Sequence, residues 1–80
     1  MTPEAIQRKV IRVVSRVAMV PENEVTPETE LSALEMDSLD QIECALSIEE
    51  EFHVEMETPE LWRFRTVGDV VAAVQRAAAR

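Results

Sequence analysis

The chain has 80 residues, a formal net charge of -8 and a single cysteine. This length allows one domain, residues 1–80, with a small core, and the lone cysteine excludes an internal disulfide and fits a reducing compartment. No stretch has the layout of a signal peptide, and no apolar run approaches the roughly 20 residues of a membrane-spanning helix. We therefore expect a monomeric, cytoplasmic domain that does not interact with membranes.

Acidic residues are concentrated in the middle of the chain. Between Pro21 and Glu60 there are fourteen acidic side chains and no Lys or Arg, while all eight basic residues lie outside that segment. Such a field repels nucleic acid and steers basic partners towards the protein. A solvated surface that merely keeps the protein soluble is the alternative, but the apolar residues mixed into the acidic segment favour a docking surface.

The first helix is predicted to begin after Thr2. Thr2, Pro3 and Glu4 combine an N-cap, a proline at the first helical position and an acid in the first turn. Apolar residues then recur at three- and four-residue steps, which indicates an amphipathic helix to about Ala18. The predicted inward positions are Ile6, Val10, Val13, Val14 and Val17.

A long connection follows, from Met19 to Met36. Pro21 and Pro27 interrupt regular structure there. A short helical turn is expected near residues 30–34, and the apolar side chains of the connection should hold it on the core. These predicted anchors are Val25, Leu31 and Leu34.

The second helix should run from Asp37 to about Phe52, with Asp37 as N-cap and Asp40 three residues later in a capping box. A helical wheel divides its apolar residues between two opposite faces. One face carries Cys44, Ala45, Ile48 and Phe52, and the other carries Leu39, Ile42 and Leu46. Because so small a domain cannot easily enclose a central helix, we expect the second face to be exposed, although burial on both sides is the alternative.

Two further helices are predicted, and no segment alternates as a strand. Thr58, Pro59 and Glu60 should open a short helix that ends near Arg65, and Thr66 with Asp69 forms a second capping box, which opens a last helix to about Ala79. The predicted buried positions of the last helix are Val67, Val70, Val71, Val74 and Ala78. The fold class is therefore all-α, a small bundle of three main helices plus one short helix.

Ser38 is the residue of greatest functional interest, because it stands where the long connection meets the second helix. The only histidine, His53, lies roughly 20 Å away along the same helix, so it cannot activate Ser38 as a nucleophile. We predict no catalytic residue, no metal site and an inert, inward Cys44. A serine modified by another enzyme and a helix-start serine without chemistry are the two remaining interpretations.

The chain resembles the acyl carrier protein family. The resemblance rests on the segment Asp37-Ser38-Leu39-Asp40, which matches the family's Asp-Ser-Leu motif, and on the acidic helix end at residues 48–52. It extends to Thr58-Pro59-Glu60 and to residues 66–70, and so covers nearly the whole chain. One departure is Glu35, which stands where the family often has glycine, so we expect the tight turn before the motif to be relaxed.

The resemblance implies a free-standing, non-enzymatic carrier. It implies that Ser38 receives a 4′-phosphopantetheine group from a magnesium-dependent phosphopantetheinyl transferase, and that the thiol of this group carries acyl groups as thioesters between the acyl-transferring and chain-extending enzymes of fatty acid, lipid or polyketide synthesis. By the same resemblance, the surface that meets partner enzymes consists of Asp37, Leu39, Asp40, Ile42, Glu43, Leu46 and Glu50.

Two other functions remain open from the sequence. A peptidyl or aminoacyl carrier would share the fold and the serine, although the acids around Ser38 favour the acyl kind. An unmodified acidic helical protein would use the same acidic segment to bind a basic partner and would leave Ser38 bare.

The small residues Cys44, Ala45 and Ser47 on the inward face suggest that the helices could part to shelter an acyl chain.

Overall fold

The computed structural model describes residues 2–55 and 63–79. Within them lie three α-helices, α1 (Pro3–Ala18), α2 (Ser38–Phe52) and α3 (Val67–Ala78), and 3₁₀ turns at Glu22–Glu24 and Leu31–Leu34. Helix α1 packs against both α2 and α3. The all-α prediction is confirmed, as is the helical turn in the connection, whereas the short helix predicted from Thr58 falls largely on residues 56–62 and so lies outside the described part of the chain.

Helix α1 forms where the local signals place it. The Thr2 hydroxyl accepts a hydrogen bond from the Ala5 N–H at 3.1 Å, and Pro3 occupies the first turn, where its missing N–H is not needed. The helix ends at Met19, whose left-handed backbone directs the chain away from the helix axis. The predicted range of α1 is therefore confirmed at both ends.

The core lies between the three helices and under the connection. Full burial of a valine or isoleucine contributes about 1.5–3 kcal/mol, whereas exposed ion pairs such as Arg12–Glu22 contribute about 0–1 kcal/mol, so apolar packing dominates the stability. The buried apolar residues are Ile6, Val10, Val13, Val14, Val25, Leu31, Met36, Cys44, Ala45, Ile48, Val67, Val70, Val71 and Val74.

The prediction that Ala78 is buried is wrong. The four valines of α3 are enclosed as predicted, but Ala78 is exposed. The reason is that the last turn of α3 borders an open cleft, which it shares with Pro3 and Phe52 at the end of the bundle where α1 begins and α2 ends. Ala78 therefore lies at the edge of the core instead of within it.

The connection is held on the start of α3 by backbone hydrogen bonds. The N–H groups of Val67 and Gly68 donate to the carbonyl oxygens of Thr29 (2.9 Å) and Pro27 (2.8 Å), and the Leu31 N–H donates to the Arg65 carbonyl oxygen at 2.9 Å. Val25 and Leu31 are buried and Leu34 is partly buried, so the predicted anchors are confirmed. This attachment determines where the chain enters α2.

Helix α3 begins at a capping box, as predicted. The Thr66 hydroxyl accepts from the Asp69 N–H at 3.2 Å, and the Asp69 carboxylate accepts from the N–H groups of Thr66 and Arg65, each at 3.1 Å. The hydrogen bond from the Thr66 N–H, together with that from Arg65, lowers the pKa of Asp69.

Along residues 2–55 and 63–79, every helix is too short or too polar to cross a membrane.

Candidate functional site

Ser38 is the first residue of α2, and its side chain is exposed. The predicted capping box is present on both sides of it: the Asp37 carboxylate accepts from the Asp40 N–H at 2.8 Å, and the Asp40 carboxylate accepts from the Asp37 N–H at 3.3 Å. The Ser38 hydroxyl itself has no hydrogen-bond partner among the described residues. The box therefore fixes the backbone at Ser38 and leaves its oxygen free to be modified.

The backbone around Ser38 favours a negative group on its side chain. The capping box satisfies the N–H groups of Asp37 and Asp40, so the N–H groups of Ser38 and Leu39 are left without an acceptor in the described part of the chain. Unpaired N–H groups and the helix dipole together stabilise an anion at a helix N-terminus. The residues present thus fit a phosphodiester on the Ser38 oxygen.

The expectation that the turn before Ser38 is relaxed is wrong. Glu35 adopts the left-handed conformation, with φ 56° and ψ 33°, and its N–H donates to the Ser32 carbonyl oxygen at 3.4 Å. This conformation costs a non-glycine residue about 1–2 kcal/mol. The turn is retained because Leu31 and Met36, which lie on either side of it, are both buried and determine the path of the chain between them.

The outer face of α2 is an exposed apolar ridge, which we define as Leu39, Ile42 and Leu46. Their exposed fractions are 71%, 49% and 57%, so burial on both sides of α2 is excluded. Of the four acids predicted to accompany the ridge, Asp37, Glu43 and Glu50 are exposed and Asp40 is half-buried. An apolar centre with acidic neighbours is a surface suited to weak, charge-steered docking of basic partners.

The inner face of α2 has no group that could make Ser38 a nucleophile. Burial raises the pKa of Cys44 to about 12, so its thiol stays protonated and unreactive. His53 caps the far end of α2 in a left-handed conformation and is exposed. Among the residues that the structure describes, no cluster of His, Cys, Asp and Glu could hold a metal ion.

A cleft of about 380 Å³ lies beside the start of α2, and the sequence did not predict it. Among the residues that line it are Met36 and Gln41, which stand on either side of Ser38 in the chain. The Gln41 amide nitrogen donates to the Met36 carbonyl oxygen at 3.2 Å, which leaves its buried oxygen Oε1 without a donor. An unsatisfied buried polar atom typically costs about 1–3 kcal/mol. No feature of the sequence distinguishes Gln41 from an ordinary helix residue, because both the cleft and the burial depend on the neighbouring segments.

These observations define a class of protein: a small helical bundle that presents an exposed serine at a helix start beside an exposed apolar ridge. Comparison with known families agrees with this description. The family model described as "Phosphopantetheine attachment site" matches residues 8–74. The chain belongs to this family, as one of its acyl carrier proteins.

Three relatives illustrate the similarity. The chain is 36% identical over 76 residues to the meromycolate extension acyl carrier protein of Mycolicibacterium smegmatis. The matched region covers 94% of this chain and 77% of the relative. It is 35% identical over 74 residues to the acyl carrier protein of Thermotoga maritima, covering 91% of each. It is 34% identical to the meromycolate extension acyl carrier protein of Mycobacterium tuberculosis, of which it spans 66% of the length.

Proposed function

We propose that the protein is a non-enzymatic acyl carrier, with Ser38 as the attachment point of 4′-phosphopantetheine. The observation that carries the proposal is the exposed Ser38 hydroxyl, which has no partner in the described part of the chain and stands at the positive end of α2. The family match and the relatives named acyl carrier proteins support the same role. The bound group supplies a flexible thiol that holds acyl groups as thioesters.

The residues of this chain anchor the group and position it for other enzymes. Ser38 provides the oxygen of the phosphodiester, and the Asp37–Asp40 capping box holds that oxygen at the end of a rigid helix. The ridge and the acids around it meet each partner, and a patch this small favours binding weak enough to release. A tethered cargo has a high effective concentration at a docked active site, so transfer needs no catalytic residue on the carrier.

The partners are enzymes with basic docking surfaces. The first is a magnesium-dependent phosphopantetheinyl transferase, and the others load, extend or remove acyl groups in lipid synthesis. We propose that the carrier meets them as a monomer in the cytoplasm, where a lone cysteine stays reduced. Charge complementarity with the acidic surface of α2 supports basic partners over nucleic acid or membranes.

Intact-mass measurement after incubation with coenzyme A, magnesium and a transferase of broad specificity tests the proposal. We expect the mass to rise by one phosphopantetheine group and the increase to be abolished in Ser38→Ala. The matched control is Ser32→Ala, because Ser32 is also exposed but lies in the preceding turn. This variant should be loaded as fully as the wild-type protein.

Two results would contradict the proposal. If the folded wild-type protein gained no mass, an acidic interaction protein with a bare serine would be the better description. If Ser38→Ala were still loaded, the attachment point would be another hydroxyl. Circular dichroism of each variant shows whether the helices are intact and so excludes misfolding as the cause.

A further inference from the structure

The outer side of α1 carries a basic stripe, which we define as Arg8, Arg12 and Arg16. These residues follow one another at four-residue steps, so they lie on one side of the helix, and all three are exposed. Glu4 is the only acid of α1. Arg12 forms an exposed ion pair with Glu22 at 3.8 Å, whereas the other two arginines form none with any residue that the structure describes. The stripe therefore concentrates positive charge that the described chain leaves mostly unpaired.

Neither solubility nor stability accounts for the stripe. The net charge is -8, so each positive charge brings it closer to zero and works against solubility. A positive charge stabilises a helix C-terminus only from the last turn, which of these arginines Arg16 alone occupies. Arginine can bind a carboxylate through two parallel hydrogen bonds and is less strongly hydrated than lysine, so it suits ion pairs at interfaces. The composition of the stripe thus points to a surface that carries carboxylates.

The stripe borders the acidic side of α2. Helix α1 packs against α2, and the axes of packed helices are typically about 8–10 Å apart. Burial raises the pKa of Cys44 to about 12, while the charge of Arg16 acts to lower this pKa and that of Glu43 acts to raise it. Arg16 and Glu43 are thus both close to the same thiol, yet they form no ion pair with each other. Both charges remain available to a partner that covers this side of the bundle.

The stripe also extends towards the end of the bundle that carries Ser38. A cleft at the opposite end is lined by Pro3, the first residue of α1, and by Phe52, the last residue of α2. The two helices are therefore antiparallel, and the last turn of α1, with Arg16, lies at the same end as Ser38. From Arg8 to Arg16 the stripe is roughly 12 Å long at the rise of an α-helix. An enzyme whose active site receives a group from Ser38 is thus near enough to contact the stripe as well.

An enzyme surface fits the stripe better than a membrane or a nucleic acid does. Both of these present negative charge over an extended area, which the acids of the neighbouring α2 would repel. A folded enzyme can instead place a small acidic patch next to a basic one, at the spacing of two packed helices. A second copy of this chain is also disfavoured, because both copies carry a net charge of -8.

We propose that the stripe is a second docking surface, which binds an acidic patch of a partner enzyme while the ridge of α2 binds the adjoining basic patch. The inference rests on the proposed function, since it concerns the enzymes that use the carrier. An enzyme with only a basic patch is held by α2 alone, whereas an enzyme with both patches is held at two places and in one orientation. The stripe thereby distinguishes partners that the acidic surface of α2 would bind equally well.

A synthetic peptide with two segments tests the inference on the intact protein. One segment carries lysines and leucines for the ridge, the other carries glutamates for the stripe, and a flexible glycine–serine linker joins them. We expect this peptide to bind roughly tenfold more tightly than either segment alone, because the second contact becomes intramolecular. Nuclear magnetic resonance should show chemical-shift changes both in α2 and in residues 8–16.

Two charge reversals form a matched pair of variants. Arg16→Glu and Arg76→Glu change the net charge equally, and each replaces an exposed basic residue in the last turn of a helix. Arg16→Glu should weaken binding of the two-segment peptide roughly fivefold without weakening that of the lysine segment, whereas Arg76→Glu should retain the affinity for both. Equal weakening in the two variants would show an effect of net charge alone and would overturn the inference. Circular dichroism shows whether each variant is folded.

Three other results would contradict the inference. The two-segment peptide could bind no more tightly than its lysine segment, vesicles of phosphatidylglycerol could bind through residues 8–16, or the protein could form dimers that Arg16→Glu abolishes. The second and third results would assign the stripe to a membrane and to a second copy of the chain. Loading of Ser38, measured by mass, separates this inference from the proposed function. A protein that is loaded but shows no gain with the two-segment peptide overturns the inference alone, whereas a protein that is not loaded overturns the proposed function and the inference with it.

Discussion

Glu35 shows how the surrounding structure can impose a conformation on an unfavourable residue. Its left-handed backbone is one of three such cases among the described non-glycine residues, and the other two, Met19 and His53, end helices. Glu35 instead ends a 3₁₀ turn two residues before the cap of α2. The left-handed conformation of Glu35 lowers the stability of the folded protein, but it sets the direction in which the chain enters the helix that carries Ser38.

We expect Glu35→Gly to stabilise the protein by about 0.5–1 kcal/mol. Removal of Cβ relieves about 1–2 kcal/mol of strain, and the greater freedom of glycine in the unfolded chain cancels part of this gain. Urea unfolding measures the difference. The control is Glu28→Gly, an exposed position without positive φ, which should lose stability. Equal effects at the two positions would contradict the account of strain at Glu35.

Cys44 is expected to be unreactive as long as the protein is folded. With a pKa of about 12, only about 10⁻⁴ of the thiol is ionised at pH 8, and its side chain is fully enclosed. A colorimetric disulfide reagent should therefore find almost no fast-reacting thiol in the apo protein and one in the loaded protein, namely that of the arm. Unfolding in urea should expose a further thiol in each, and a fast reaction of the folded apo protein would contradict the assignment.

At the scale of the element, α2 combines two unrelated requirements in one helix. Its inner face, with Cys44, Ala45 and Ile48, is part of the core, while the ridge on its outer face remains exposed. Asp40 serves both requirements, because it closes the capping box and also contributes charge beside the ridge. For this reason docking is better tested at positions that take no part in the box.

We expect Glu43→Lys and Leu46→Ser each to lower kcat/KM for loading by the transferase by about tenfold, which corresponds to about 1.4 kcal/mol. The first reverses the charge that steers a basic partner, and the second removes the centre of the ridge. Glu24→Lys and Met19→Ser are matched controls, because both residues are exposed but lie outside α2. If all four variants were loaded at the wild-type rate, the ridge would not be the docking surface.

At the scale of the whole molecule, the position of Ser38 depends on contact between segments far apart in the chain. Gly68 lies in the first turn of α3 against Pro27, and a Cβ built on it would be 3.0 Å from the Pro27 carbonyl oxygen. That oxygen also accepts the Gly68 N–H at 2.8 Å, so the connection cannot withdraw without losing the hydrogen bond. The close approach therefore favours glycine at this position, whereas its backbone does not need positive φ.

Gly68→Ala should destabilise the protein by roughly 1 kcal/mol, even though alanine is the better helix former. The added methyl group must displace the backbone of the connection, so amide hydrogen exchange at Thr29 and Leu31 should accelerate together with the loss of stability. The control is Ala72→Gly, which changes the helix propensity of the same helix without adding a methyl group against the connection. Amide exchange in the connection should be slower in this variant than in Gly68→Ala. Unchanged exchange in Gly68→Ala would indicate that the connection tolerates the methyl group.

Much of this architecture was readable from local chemistry. The ends of α1 and α2, both capping boxes and the division of α2 into a core face and an exposed ridge depend on residues three or four positions apart, and such patterns are present in the sequence itself. The candidate role of Ser38 followed from its place in that pattern and from the absence of a neighbouring base. The sheltering of an acyl chain by the inward face of α2 stays a prediction.

Other features were decided only by the tertiary structure. The left-handed turn at Glu35, the exposure of Ala78, the role of Gly68 and the cleft with the unpaired Gln41 oxygen all depend on which distant segments meet. No local rule contains that information, because the free energy of each position is determined by neighbours that the folded chain brings to it. The attachment point could thus be proposed from a short motif, whereas the cleft beside it became visible only once residues 30–36, α2 and residues 63–65 were placed together.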